Sequence, residues 1–178
     1  KPGEILDDLN NSVTALLRQQ QDAKDVKDGM DLALCNMNWG TLLLQFSGAN
    51  NPLYVVRRAD QPGIEGGEIA LSNEEYHLFE FKGDKQPIGS HLEHKKFTNH
   101  SIQLLKGDAV YIFSDGFADQ FGGPNGKKFK YKPFKQILIA NQHKPMAVQH
   151  DVLDEAIEKW RGTLEQIDDI CIIGMRVV

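Results

Sequence analysis

The sequence has 178 residues, 40% of them hydrophobic, and this length suits one domain with its own core better than two. Its 20 Lys and Arg against 25 Asp and Glu give a net charge of −5 at pH 7, which argues against nucleic acid as the main ligand. No apolar run approaches the roughly 18 residues of a membrane-spanning helix and no signal peptide is visible, so we expect a cytoplasmic chain.

The first part of the chain predicts a helix followed by strands. Apolar residues recur at helical spacing over residues 2–20, which indicates an amphipathic helix. The runs "MDLALCNM" and "TLLLQFS" flank turn residues 38–40 and predict a hairpin, and "LYVVRR" predicts a third strand. The stretch at 59–75, rich in Gly and acidic residues, is predicted to be a loop.

The second part predicts more strands, two helices and a final strand. "YHLFEFK", "FTNHSIQLL" and "AVYIFS" are strand-like, and the short turn "KGD" joins the last two. Helices are predicted over about residues 131–141 and 145–160, and "ICIIGMRVV" is a terminal apolar strand. The order of elements indicates an α+β domain built on antiparallel sheet.

The two cysteines lie inside apolar runs. Cys35 belongs to "LALCNM" and Cys171 to "ICIIGM". Thiols in such runs are typical of small buried side chains. We therefore expect no disulfide, in keeping with a reducing compartment.

Acidic residues stand at the ends of two apolar strands. The run "AVYIF" ends on Ser114, Asp115 and Gly116, and Asp168 and Asp169 open the last strand. If these strands are antiparallel neighbours, the acids meet at one edge of the sheet, where close carboxylates require a cation such as Mg²⁺ or Mn²⁺. Alternatively, Asp-Gly is only a turn and Asp-Asp only opens the strand. The spacing of the acids leaves both interpretations open.

A basic stretch follows the first acidic motif. It contains Lys127, Lys128, Lys130, Lys132 and Lys135. Such a run is commonly a solvated surface. Since it lies close to the acids in sequence, the alternative is that it attracts a phosphorylated substrate.

Four stretches carry a resemblance to a known family: "GANNPLYVVR", "GDKQPIG", "GDAVYIFSDGFADQFGG" and "QIDDICIIGMRV". In this order they resemble the SpoIIE-like branch of the PP2C-type, metal-dependent serine/threonine protein phosphatases, especially forms attached to bacterial sensor proteins. The resemblance extends from "PGEILDDLN" to the terminus. Residues 1–178 are thus identified as the C-terminal portion of a single domain of this type.

This resemblance implies an antiparallel β-sandwich flanked by helices, and hydrolysis of phosphoserine or phosphothreonine by water activated between two Mn²⁺ or Mg²⁺ ions. By motif, Asp115 of "SDG" and Asp168 of "DDIC" match metal ligands. Asp119 matches an acid that helps to hold an additional ion in some relatives, and Asp169 has a secondary place. The expected substrate is a phosphoprotein of bacterial signalling, such as an anti-anti-sigma-type regulator. The resemblance also implies a parent protein attached to a membrane sensor, while this segment itself is expected to make no membrane contact.

The sequence departs from the family on its N-terminal side. Two motifs that carry the remaining metal ligands in the family are absent: a "GD" followed by an aromatic residue and Asp, and a "GHG" preceded by Asp. The sequence also begins at Lys1 without Met. We therefore expect a fold that is incomplete at the N-terminus and a fragment that is inactive by itself.

The sequence also suggests two other functions. The chain without the N-terminal motifs would be a noncatalytic folding or interaction module, and its exposed sheet edges would favour homo-oligomers. An unrelated Mg²⁺ enzyme such as a nuclease is disfavoured by the acidic charge balance and by the order of the motifs.

Overall fold

The computed structural model describes residues 1–19, 29–89 and 94–178. The chain divides into two compact units: unit 1 comprises Lys1–Leu53, Ile64–Gly66 and Phe81–Leu104, and unit 2 comprises Tyr54–Gly63, Gly67–Glu80 and Leu105–Val178. In chain order the elements are α1 (Pro2–Gln19), β1 (Gly29–Met30), β2 (Leu32–Asn38), β3 (Leu43–Ala49), β4 (Leu53–Arg58), β5 (Glu68–Ser72), β6 (Tyr76–Phe81), β7 (Ile88–Gly89), β8 (His100–Gln103), β9 (Ala109–Phe113), α2 (Gly116–Asp119), β10 (Phe121–Gly122), β11 (Lys127–Lys128), α3 (Tyr131–Ala140), α4 (Met146–Arg161) and β12 (Ile172–Arg176).

Unit 1 combines α1 with two small antiparallel sheets, β1-β7 and β2-β3-β8. The side-chain oxygen of Asn38 accepts hydrogen bonds from the backbone N–H groups of Gly40 (3.0 Å) and Thr41 (3.1 Å), which stabilises the turn between β2 and β3. The predicted helix and hairpin are thereby confirmed. Gln20, the last residue of the predicted helix, lies outside the described residues.

Unit 2 is built on a five-stranded sheet with the order β12-β9-β4-β6-β5. β12 is an edge strand and pairs antiparallel with β9, while β5 pairs antiparallel with β6 at the other edge. Helices α3 and α4 confirm the two helices predicted in this part of the sequence. No helix of the described residues is long and apolar enough to cross a membrane.

Aromatic and aliphatic side chains form the core of unit 2. They come from the middle strands of the sheet, from α2 and from both long helices. The largest buried members are Tyr54, Tyr111, Phe113, Phe117 and Phe134. Phe117 and Phe134 lie with their ring centroids 4.8 Å apart, so the short helix that follows Asp115 is held by the same core as α3.

One loop prediction is wrong. The predicted loop at 59–75 contains β5, a partly exposed edge strand with an irregularity between Ile69 and Leu71. Because β5 has an irregular register and little buried surface, its sequence lacks a clear alternation of apolar and polar residues. The turn "KGD" does connect β8 to β9, although the two strands belong to different sheets, since β8 pairs with β3 whereas β9 pairs with β12. The α+β class with antiparallel sheets is confirmed.

The cysteines occupy different environments. Cys35 is partly buried, and burial raises the pKa of its thiol to about 12. Cys171 is exposed, which contradicts the prediction of a buried side chain. The reason is its position just before β12, because an edge strand leaves its neighbours open to solvent.

Candidate functional site

The two strand ends that carry the acidic motifs lie side by side. β9 and β12 are antiparallel, and Phe113 is paired with Ile172. The backbone pairing continues for one more residue, because Ser114 N–H donates to the carbonyl of Cys171 over 2.9 Å. Asp115, at the end of β9, and Asp168, before the start of β12, therefore lie at the same end of the sheet, as the strand-pairing hypothesis predicts.

The hydroxyl of Ser114 fastens the two strand ends to each other. It donates a hydrogen bond to the backbone carbonyl of Asp169 at 2.7 Å. It also accepts one from the backbone N–H of Cys171 at 2.9 Å. Ser114 thus fixes the backbone between Asp169 and Cys171 against the end of β9, a role that the sequence reasoning missed.

Gly116 allows the backbones to come this close. A Cβ atom at this position would lie 2.5 Å from the backbone oxygen of Asp169, closer than real side chains approach. Asp115 has helical backbone angles (φ −73°, ψ −17°) and occupies the N-cap position of α2 without a capping hydrogen bond from its side chain. Its carbonyl accepts a hydrogen bond from Asp119 N–H at 2.9 Å. The turn interpretation of Asp-Gly is therefore correct, and it is compatible with a carboxylate site.

The four predicted acidic side chains differ in their surroundings. Asp115 is partly buried, whereas Asp168 and Asp169 are exposed. One carboxylate oxygen of Asp168 accepts a hydrogen bond from the backbone N–H of Asp169 at 2.8 Å. Asp119 forms an ion pair with Lys128, with 2.7 Å between the carboxylate oxygen and the lysine nitrogen. The charge of Asp119 is thus already offset by a lysine.

The predicted metal ligands at this end of the sheet are all carboxylates. Among residues 1–19, 29–89 and 94–178, no three His, Cys, Asp or Glu side chains are grouped so that they could hold a metal ion. Hydrated Mg²⁺ commonly takes only one or two protein carboxylates and keeps several waters. A hard cation at this end of the sheet would therefore take one or two of these carboxylates and complete its coordination with water.

Gln120 is a second residue of the site that the sequence did not reveal. Its side chain is fully buried directly after α2. The amide nitrogen donates to the backbone carbonyls of Phe121 and Glu165, both at 3.0 Å, so it links the end of α2 to the loop before Asp168. The amide oxygen is buried without a hydrogen-bond partner in the described structure. A glutamine in a polar stretch gives no sequence signal for such a role.

An apolar groove of about 490 Å³ lies in unit 2, along α4 and β12. Its lining includes Tyr111, Met146, Leu153 and Ile172. Burial raises the pKa of Tyr111 to about 12, so this phenol stays protonated at neutral pH. An apolar lining does not suit a phosphate ester, and the acidic strand ends remain the candidate site.

Solved structures of phosphatase domains resemble the chain. The SiaA-PP2C domain of Pseudomonas aeruginosa matches with a TM-score of 0.78 and 25% identity, over 99% of this chain and 61% of that one. The phosphatase domain of the cell fate determinant SpoIIE from Bacillus subtilis matches with a TM-score of 0.54 and 14% identity, over 98% of this chain and 72% of that one. A Mn-presoaked structure of the same SpoIIE domain matches with a TM-score of 0.56 and 16% identity, over 98% of this chain and 70% of that one.

These comparisons establish the fold, and the chain spans about three fifths of the SiaA-PP2C chain. The comparison with curated proteins found no match. The family model described as stage II sporulation protein E (SpoIIE) matches residues 1–178, which gives no support to the predicted truncation. A match over the whole chain, together with the shared fold and the joined "SDG" and "DDIC" motifs, shows that the chain belongs to the SpoIIE family of PP2C-type phosphatase domains.

Proposed function

We propose that the chain is part of a metal-dependent protein serine/threonine phosphatase. The observation that supports this proposal is the joining of the backbone next to Asp115 to the backbone that follows Asp168, through Ser114 and the close approach at Gly116. Family membership and the all-oxygen character of the acids support it.

In this mechanism Asp115 and Asp168 would hold Mn²⁺ or Mg²⁺. Such an ion, when bound, lowers the pKa of a coordinated water and neutralises charge on a phosphate. Ser114 keeps the two acidic backbones in register, and Gln120 holds the loop before Asp168 against the end of α2. Asp119 is held by Lys128, so an additional ion would have to compete with that lysine. Asp169 contributes its backbone carbonyl to Ser114.

The proposed substrate is phosphoserine or phosphothreonine in a bacterial signalling protein, such as an anti-anti-sigma-type regulator. A protein substrate agrees with the open position of the acids, because Asp168 and Asp169 are exposed on the surface. An open site admits a phosphorylated side chain that is attached to a folded partner.

Hydrolysis of a phosphoserine peptide with Mn²⁺ tests the proposal. The assay would use this chain and a chain extended on its N-terminal side, each with and without Asp115→Asn. Activity of either chain that depends on Mn²⁺ and is lost in the variant is the expected result. Asp151→Asn is a matched control, since Asp151 is an exposed acid on α4. Full activity of Asp115→Asn would refute the assignment.

A noncatalytic interaction module is the second candidate. The observation that favours it is the open edge of β12, where Ile173 is 57% exposed. Exposed edge strands invite pairing with another chain, so this candidate predicts homo-oligomers. Light scattering at rising concentration would show a growing mass if it is right, and a constant monomer mass would exclude it.

A further inference from the structure

We propose that an exposed basic surface beside the acidic site docks an acidic, phosphorylated segment of a partner protein. This basic hairpin surface consists of Phe121, Lys127, Lys128, Lys130 and Lys132, on the β10–β11 hairpin and the start of α3. The inference rests on the proposed phosphatase function and adds to it the surface that selects the substrate.

The base of the hairpin is held firmly by Trp160 of α4. Gly123 N–H donates to the carbonyl of Trp160 at 2.8 Å, and the indole N–H donates to the carbonyl of Gln120 at 3.1 Å. A Cβ atom on Gly122 would overlap the same Trp160 carbonyl, so only glycine fits there. The hairpin is therefore preorganised, and binding a partner would cost little conformational entropy in it.

The outer side of the hairpin combines positive charge with an aromatic ring. Lys127 and Lys130 are exposed and form no ion pair among the described residues. Phe121 is 38% exposed and is paired across the hairpin with Lys128. An exposed aromatic ring surrounded by cations is a common composition for a protein-binding surface.

Lys130 has a backbone conformation that glycine adopts easily and lysine rarely does, with φ 75° and ψ 158°. Its N–H donates to the carbonyl of Ala118 in α2 at 2.7 Å, which holds the residue in place. Strained residues of this kind are concentrated at functional sites. Glycine would adopt this backbone conformation without strain, so the presence of lysine here agrees with a functional role for the lysine charge.

The position of the surface determines the chemistry of its partner. Lys128 contacts Asp119 and Lys130 contacts Ala118, so the surface is continuous with the helix that Asp115 begins. An exposed group of acids repels an anionic substrate, and adjacent lysines offset this repulsion. An acidic phosphorylated segment fits both features of this region. Its flanking acids complement the lysines, and its phosphate complements the proposed cation site.

Binding without metal tests the docking step by itself. Fluorescence anisotropy in EDTA would use a labelled acidic peptide with one phosphoserine, and the unsubstituted chain should bind it with an affinity that falls as salt rises. Lys127→Glu should weaken binding about fivefold. Lys106→Glu is the matched control, because Lys106 is exposed and precedes the opposite end of β9, and it should leave the affinity unchanged. Equal effects of the two variants, or no binding by the unsubstituted chain, would overturn the proposal.

Lys130→Gly separates docking from stability. The substitution relaxes the backbone and should raise Tm, while the loss of the charge should weaken peptide binding. A higher Tm with unchanged affinity would exclude Lys130 from the surface.

Turnover of p-nitrophenyl phosphate with Mn²⁺ reports on the chemistry alone, because this small substrate does not reach the hairpin. Lys127→Glu should leave that turnover unchanged. No turnover together with intact peptide docking would count against the proposed phosphatase function and not against the basic hairpin surface.

Discussion

The two ends of β9 each carry an aspartate, and the two residues have opposite surroundings. Asp108, before the strand, is 2% exposed and accepts hydrogen bonds from the guanidinium of Arg57 at 2.7 to 3.2 Å and from Leu105 N–H at 2.8 Å. Asp115, after the strand, is partly buried and lies at the end of the sheet where the exposed Asp168 and Asp169 precede β12. One end of the strand therefore has a carboxylate paired with a buried cation, and the other end has a carboxylate at the same end of the sheet as two exposed acids.

We propose that this contrast distinguishes a structural acid, Asp108, from a metal-binding one, Asp115. Asp108 has a buried cation and a backbone donor, so its charge is fully compensated inside the protein. Like charges near Asp115 cost free energy unless a cation joins them. We expect stability to depend on Asp108 and metal binding to depend on Asp115.

Asp108→Ala should have the largest effect on stability. It leaves the 3% exposed guanidinium of Arg57 without its carboxylate, which should cost about 3–5 kcal/mol of the free energy of unfolding. Asp115→Asn should cost about 1 kcal/mol or less. Urea denaturation of both variants checks this, and equal losses would remove the distinction between the two ends.

Gly116→Ala should have the next largest effect on stability. The new methyl group must displace the backbone of Asp169, which should cost about 1–3 kcal/mol even though alanine favours helix. Gly63→Ala is the matched control, because a Cβ atom there meets nothing within 4 Å. Thermal unfolding of the two variants tests this difference in stability. Equal Tm values would show that the close approach at Gly116 is not required.

Tyr111→Phe probes the middle of β9. The Tyr111 hydroxyl donates to the side-chain oxygen of Gln149 at 2.6 Å, and losing this buried bond should cost about 1–2 kcal/mol. Burial raises the Tyr111 pKa to about 12, so the unfolded chain loses this proton from about pH 10 while the folded chain keeps it. The free energy of unfolding should therefore fall as pH rises from 10 to about 12, and less steeply in the variant. Identical slopes in alkaline urea titrations would contradict this.

Ser114→Ala should have the smallest effect on stability. Both hydrogen bonds of the hydroxyl lie near solvent, so their loss should cost about 1 kcal/mol. Mn²⁺ affinity should fall as well, because the two acidic backbones lose their link. Ser12→Ala, which removes one local bond on α1, should leave Mn²⁺ affinity unchanged, and titration of both variants checks this.

Much of this arrangement could be predicted from the sequence. The apolar runs before Asp115 and after Asp169 predict two strands, and their antiparallel pairing is confirmed with Phe113 opposite Ile172. The helical periodicity over α3 and α4 is confirmed as well. Strong periodicity and strand ends with turn residues are local signals, so the sequence contains them.

Other parts depend on contacts that no local pattern contains. The requirement for Gly116 arises from the carbonyl of Asp169, far along the chain, and the hairpin is held by Trp160. The pairing of Asp119 with Lys128 also follows from the hairpin, which is too short to be recognised by alternation. The metal-ligand roles of Asp115 and Asp168 stay predictions.

Calorimetric titration with Mn²⁺ tests most directly whether Asp115 and Asp168 share one cation. The titration would compare the unsubstituted chain with Asp115→Asn, Asp168→Asn and the control Asp151→Asn. We predict weak binding by the unsubstituted chain and the control, and its loss in each of the other two variants. Binding that survives either Asp115→Asn or Asp168→Asn, or no binding by the unsubstituted chain at millimolar Mn²⁺, would contradict this account.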